Sequence, residues 1–267
     1  MLNIGWFSTG RDEAARQLLQ AVQQSISNGD ITGKISFVFS NREPGESVES
    51  DSFFQLVHSY GIPLACFSSK KFKSVIANEA RKFNNVIASE VKQSQESWRL
   101  KYDREVNSRI ERFAPDLCVL AGYMLIVGEE LCRKYTMINL HPAPPCGPVG
   151  SWQEVIWKLI QDEADKAGAM MHLVTPELDR GPAIGYCLFP IKGKPFDQYW
   201  RSNNKNMLFN LIRQHELARE FPLIISTIKA LSQGEISIKD GKIIDAQGRS
   251  IDGYDLSDKI DKAVDGK

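Results

Sequence analysis

Apolar positions along this chain change period repeatedly, between two residues and nearly four. Leu2–Ser8 reads as a strand, and Glu13–Ser27 has helical spacing at Ala14, Leu18, Leu19, Val22 and Ile26. Lys34–Ser40 is a β-rich run. Ser52–Tyr60 predicts a helix that closes at Gly61, the expected place for a C-terminal glycine. Ile62–Phe67 is a further strand, and Lys71 to Phe113 is long, charged and helical in pattern. Leu117–Ala121 is continuously apolar, as a parallel strand covered on both faces would be. After Gly150 the pattern predicts a helix over Ser151–Asp165 and strands over Ala169–Val174 and Ile184–Ile191. A helix then covers Met207–Leu231, interrupted or kinked at Pro222. Asp240-Gly241 between apolar runs signals a hairpin over Ile236–Ile244, and the polar tail from Asp245 predicts no element.

This alternation predicts an α/β chain: a Rossmann-like, mostly parallel sheet with helices on both faces. The simplest division is an α/β core over residues 1–200 and a small appendage over 201–267, made of a helix, a β-hairpin and a polar tail. Sheets of this kind bind ligands at the carboxyl ends of their strands, which directs attention to the loops after Ser8, Ser40, Ala121 and Leu140.

The run from Met137 to Pro142 carries candidate chemistry. Pro142 stops the strand and holds His141 extended. Residues two apart in a strand point to one side, so Asn139 and His141 project together. Further on, Asp179 stands on a turn set by Gly181 and Pro182. An amide donor, an imidazole and a carboxylate can polarise a carbonyl, move a proton and orient the base. On spacing alone, an ordinary polar strand end and an unrelated loop aspartate read equally well.

Composition narrows the classes. The 267 residues are 42% hydrophobic, with Lys+Arg and Asp+Glu both at 33. That balance suits one large or two modest globular domains and gives no general surface for nucleic acid or anionic membrane. The N-terminus lacks a basic leader region, and no apolar run approaches the roughly 18–20 residues that span a bilayer. Cys66, Cys118, Cys132, Cys146 and Cys187 include no Cys-x-x-Cys pair, and His58, His141, His172 and His215 have no ligand-like spacing with them. The expectation is a cytoplasmic enzyme with reduced thiols and no metal.

Taken in order, several segments resemble the folate-dependent formyltransferase family. They are the opening strand to Ser8, Ser40-Asn41-Arg42, Gly61-Ile62-Pro63, the run from Ala114 to Met124, Ile138 to Pro142, Gly168 to His172, and Glu177-Leu178-Asp179-Arg180-Gly181-Pro182. The helix with Phe221-Pro222 and the late hairpin also fit, so the resemblance covers roughly residues 1–245. It implies the formyltransferase fold, with 10-formyltetrahydrofolate as co-substrate and the amine of a small molecule as acceptor. The purine-synthesis branch, which formylates glycinamide ribonucleotide, leads. Another amine such as a sugar nucleotide, or a non-catalytic ligand-binding relative, are the alternatives. The resemblance further implies a monomer or homodimer. A tRNA-directed relative would carry a larger basic C-terminal domain, and a hydrolase relative an extra domain before the first strand.

Residue by residue, the resemblance assigns Asn139 to the formyl oxygen, and His141 to the tetrahedral oxyanion and to proton transfer. Asp179 holds the histidine and, through water, helps take the amine proton. His172 matches a second active-site histidine. Met124, Leu125, Ile126 and Val127 match the lining of a pterin pocket, and Glu177 and Leu178 the loop whose backbone meets the pterin. Ser8, Thr9, Gly10 and Arg11 match the substrate-binding loop after the first strand. Here the family is Gly-rich with Ser-Asn, whereas this chain continues into Asp12-Glu13, which suits a helix start but repels phosphate. Arg11 or Arg42 is then expected to carry the phosphate. Leu125 stands in place of an arginine and Met170 in place of Ser or Thr. Pro142 to Pro148 replaces a Ser-Leu-Leu-Pro stretch, and Lys71–Glu96 is longer than the family pattern.

Overall fold

A computed structural model of the chain describes the backbone of residues 1–83 and 88–266, and side chains outside 79–97. The elements follow in order as β1 (Leu2–Phe7), α1 (Glu13–Ser27), β2 (Gly33–Ser40), α2 (Val48–Ser59), β3 (Leu64–Cys66), α3 (Ser69–Phe83), α4 (Ala88–Ile110), β4 (Leu117–Leu120), α5 (Glu129–Lys134) and β5 (Met137–His141). They continue as α6 (Trp152–Gln161), β6 (Lys166–Leu173), β7 (Ala183–Pro190), α7 (Asp197–Arg201), α8 (Lys205–Gln233), β8 (Ile236–Lys239), β9 (Lys242–Asp245), β10 (Ser250–Ile251), β11 (Tyr254–Asp255) and α9 (Ser257–Asp265). Within the expected long helix of 71–113, residues 84–87 lie outside the described residues.

The chain divides into two compact units, Met1–Gln20 with Gly33–Met137, and Ala21–Thr32 with Ile138–Lys267. In the first, strands run in the order β4-β1-β2-β3, every pair parallel. All four residues of β4 and the last four of β1 are buried, as strands covered on both faces must be. Phe7 packs against Phe37, Phe39 and Tyr123 with ring centroids 5.3–6.0 Å apart. Because the strands are parallel, the loops after β1, β2, β3 and β4 all leave from one edge.

In the second unit the order is β5-β6-β7-β11. Here β5–β6 and β6–β7 are antiparallel, while β11 adds to β7 in parallel. Taken with the all-parallel pairs of the first unit, the strand pairing is mixed and mostly parallel. Val155, Ile156, Leu159 and Ile160 of α6 share a buried cluster with Phe189, Ile191, Leu208 and Ile212. Ser151 caps α6 reciprocally with Glu154, which starts the helix where the sequence placed it. Asp162 ends it, and β6 begins at Lys166, within three residues of a boundary expected at 165. Pro222 does not divide α8, which runs on over 29 residues. The tail beyond Asp245 forms β10, β11 and α9. Arg219 of α8 pairs with Asp261 of α9 at 2.8 Å, and Ile260 is buried.

One buried acid stands out in α8. Glu216 is fully buried, and burial, reinforced by Glu220, pushes its carboxyl up to about 8 against the pull of Arg213 at 2.9 Å. Between its ordinary value of 4.5 and about 8, the folded state holds a proton that the unfolded chain releases. Stability therefore falls as pH rises through that window. Glu216→Gln removes the titration, so its Tm should exceed that of the wild type at pH 8 by about 2 °C or more, with the advantage shrinking toward pH 5. Parallel thermal melts across that range check this; an advantage independent of pH contradicts the assignment.

Candidate active site

The register of β5 against β6 assembles the site. Asn139 lies directly opposite His172, and His141 opposite Met170, so alternate residues of both strands present one shared face. Asn139 donates from Nδ2 to His172 Nε2 at 3.1 Å. The other nitrogen, His172 Nδ1, donates to the carbonyl of Leu173 at 3.0 Å, which fixes the ring. One amide N–H of Asn139 remains for another acceptor.

Asp179 reaches the same face from the turn between β6 and β7. Leu173 N donates to Pro182 O at 2.9 Å, closing the turn against the end of β6. Residue 181 lies so close to that strand that a Cβ there would sit 1.7 Å from the carbonyl oxygen of Leu173. Only glycine fits. Asp179 itself takes a left-handed backbone with φ of 53°, a conformation that aspartate tolerates better than most residues at a cost of about 1 kcal/mol. In that pose its Oδ1 lies 3.6 Å from His172 Nε2 and its Oδ2 4.0 Å from His141 Nδ1. The two imidazole centroids are 5.9 Å apart, edge to face.

Both histidines are almost completely buried. Burial pushes the pKa of His141 down, and His172 adds to this, while Asp179 and the nearby Pro148 carbonyl oppose it. Asp179 is itself desolvated, yet the nearness of His172 and His141 outweighs that and holds its carboxyl below the usual range. With Nδ1 turned to Asp179, His141 Nε2 is left buried and without a hydrogen-bond partner. The arrangement is a neutral imidazole with a carboxylate behind it, an unused basic nitrogen in front, and an amide donor two residues away on the same strand face.

The other expected residues fall as follows. In the first unit, Met124 and Ile126 are exposed, 51% and 38%, and Val127 is buried. Leu125 is half-buried beside them. In the second, Leu178 is 48% exposed, and the carbonyl of Glu177 accepts from Thr175 and Arg180. The segment 124–128 is held at its end by Asp103, which accepts from Gly128 N at 2.7 Å and is pushed up to about 6 by burial. In the loop after β1, Ser8 and Thr9 are buried, Thr9 accepting from Met124 N at 2.8 Å. Gly10 has φ of 62° and lies against the ring of Phe53, and Arg11 pairs with Asp12 at 3.2 Å. Residues Ser69 and Lys70, which line a cavity together with Thr9, Asn41 and Arg42, were not singled out from sequence. The Ser68-Ser69-Lys70 run directly after β3, the outermost parallel strand, was the available signal. Among the described residues, no group of three or more His, Cys, Asp or Glu is placed to hold a metal ion, and no helix is long and apolar enough to cross a membrane.

Comparison with known proteins places this geometry. The profile of the formyl transferase family matches residues 7–193, which include every residue of the face just described, and the chain belongs to that family. Among its relatives, the chain is 26% identical over 178 residues to the phosphoribosylglycinamide formyltransferase of Escherichia coli (65% of this chain, 68% of that protein). It is 22% identical over 226 residues to the enzyme of the same name from Haemophilus influenzae (83% and 85%). The fold is similar to the solved phosphoribosylglycinamide formyltransferase of Coxiella burnetii, at TM-score 0.67 and 19% identity, covering 95% of this chain and 98% of the other. It is also similar to a formyltetrahydrofolate deformylase from Pseudomonas syringae, at TM-score 0.60 and 19% identity, covering 91% and 65%.

Gly181→Ala tests what holds Asp179 in place. The added carbon must displace the turn, so the variant should lose about 2 kcal/mol or more of stability and nearly all turnover. Thermal denaturation with an activity assay on the same sample checks this; an unchanged Tm contradicts the close approach.

Proposed function

We propose that the protein transfers the formyl group of 10-formyltetrahydrofolate to the primary amine of a small phosphorylated acceptor, with glycinamide ribonucleotide as that acceptor. The observation that carries the reading is the shared face of Asn139, His141, His172 and Asp179, with His141 Nε2 buried and unpartnered. Similarity to phosphoribosylglycinamide formyltransferases supports the choice of acceptor. The folate co-substrate supplies an electrophilic formyl carbon on a nitrogen leaving group.

In this reading the amine nitrogen attacks the formyl carbon, forming a C–N bond and placing negative charge on the formyl oxygen. Asn139 donates its remaining amide N–H to that oxygen, stabilising charge as it develops. His141 Nε2 takes the proton shed by the amine and, once protonated, becomes a second donor to the oxyanion. Asp179 stabilises the imidazolium so formed and keeps Nδ1 turned away from the reacting atoms. His172, fixed by Leu173, positions Asn139. As the tetrahedral centre collapses, the proton passes from His141 to the departing nitrogen and the formamide is released. The exposed Met124 and Ile126, with Leu125 and Val127, are assigned to the pterin, and Ser8 to Gly10 to the acceptor side.

His141→Ala should lower kcat by about 10²–10⁴-fold, the usual range for a general acid–base group, with the protein still folded. An unchanged rate removes His141 from the role. The pH dependence follows from the direction of its shift. His141 must be neutral to accept the proton, so kcat/KM should fall as pH drops through an apparent pKa below 6.5, the ordinary value for histidine. An acid limb centred above 6.5 contradicts the buried, neutral base.

A further inference from the structure

A cavity of about 820 Å³ opens where β1, β2 and β3 end in the first unit, and Thr9, Asn41, Arg42, Ser69, Lys70 and Met124 contribute to its wall. Its floor is rigid and polar. Thr9 and Asn41 are buried, and Thr9 Oγ1 donates to Asn41 Oδ1 at 2.8 Å. Asn41 in turn ties the end of β2 to the start of α3, donating from Nδ2 to Ser69 Oγ at 3.3 Å and accepting from Ser69 N at 3.0 Å.

The charges around this floor are not balanced. Lys71 and Glu46 also stand in the wall, and Lys71 pairs with Glu43 at 2.8 Å and lies 3.7 Å from Glu46. Arg42 donates from Nη1 to Ser50 Oγ at 3.0 Å, a neutral hydroxyl. Neither Arg42 nor Lys70 has a carboxylate partner among the described residues. Arg42, Lys70 and Lys71 therefore outnumber the carboxylates of Glu43 and Glu46 around this polar cavity, three charges to two, and the excess is positive, as an anionic ligand requires.

The start of α1 is built the opposite way. Asp12 Oδ1 accepts from Ala15 N at 3.0 Å, taking a backbone N–H that an anion at a helix N-terminus would use. Its other oxygen pairs with Arg11 at 3.2 Å, and Gly10 is pressed against Phe53. The chain supplies its own carboxylate where phosphate would otherwise sit, and the nearest cation is already engaged.

We propose that the phosphate of the acceptor is bound in this cavity by Arg42 and Lys70 and not at the start of α1. The assignment rests on the acceptor being phosphorylated, as in the proposed function. It makes Arg42 and Lys70 determinants of acceptor specificity and leaves Arg11 and Asp12 as a closed cap on the helix.

Steady-state rates with glycinamide ribonucleotide and 10-formyltetrahydrofolate, on wild type, Arg42→Ala, Arg42→Lys, Lys70→Ala and Asp12→Asn, test it. Arg42→Ala and Lys70→Ala should raise the acceptor KM by roughly 10- to 100-fold, the loss of a charged hydrogen bond, with kcat within about twofold. Arg42→Lys, which keeps the charge, should recover part of the loss, and Asp12→Asn should leave the acceptor KM unchanged. A rise in the folate KM instead would mean that the carboxylate tail of the co-substrate occupies the cavity and would overturn the proposal. So would a roughly tenfold fall in acceptor KM for Asp12→Asn, which would put the phosphate at α1. If wild type formylates no glycinamide ribonucleotide, the proposed acceptor fails, and calorimetric titration with ribose 5-phosphate and with ribose decides the cavity separately. Binding of ribose 5-phosphate but not ribose, abolished in Arg42→Ala, upholds a phosphate site; equal behaviour of the two proteins removes it.

Discussion

The carbonyl of Leu173 and the backbone of Gly181 approach so closely that no side chain fits between them, and the place of Asp179 follows from that contact. The turn must fold back against the end of β6, Pro182 pairs with Leu173, and Asp179 is driven into a left-handed conformation. Its carboxylate then stands beside two buried imidazoles that the register of β5 and β6 has already brought to one face. Had the register slipped by one residue, Asn139 and His141 would point to the opposite face and the carboxylate would have nothing to orient.

Burial sets the protonation of this group. Desolvation favours a neutral His141, and the imidazoles favour an ionised Asp179, so base and counter-charge coexist near neutrality. The same force acts without chemical purpose at Glu216, where desolvation raises an acid that α8 has buried against Arg213. The difference lies in the surroundings: Glu216 is enclosed on a helix flank beside Arg213 and Glu220, whereas His141 ends a strand beside Asp179.

Much of this was legible in the residues. The period of Leu18, Leu19 and Val22 gave α1 its limits, the apolar run 117–121 marked β4, and i, i+2 spacing paired Asn139 with His141. Asp179 stood beside that pair only as one of two equal readings and His172 only through family resemblance, because a turn and an antiparallel neighbour are long-range facts that local pattern does not encode. Antiparallel pairing of β6 was hidden for the same reason. The tail from Asp245 was opaque because β10 and β11 are two residues each and α9 buries Ile260 through contacts that exist only in the fold. Helix α2 begins at Val48, four residues before the expected start, since its first turn is polar and carries no apolar period. Lys70 escaped notice because a lysine after a short strand looks like any solvated charge until Arg42 is seen across the same cavity.

The central claim is that His141 and its neighbours pass a formyl group to an amine and do not release it to water. The most direct measurement follows the carbon. Incubating the protein with 10-formyltetrahydrofolate labelled with ¹³C at the formyl carbon and with glycinamide ribonucleotide, and recording ¹³C NMR spectra, reports where the label goes. The label should appear as the formamide of the ribonucleotide, in step with formation of tetrahydrofolate and only when the amine is present. Label appearing as free formate, at a rate indifferent to the amine, would contradict it.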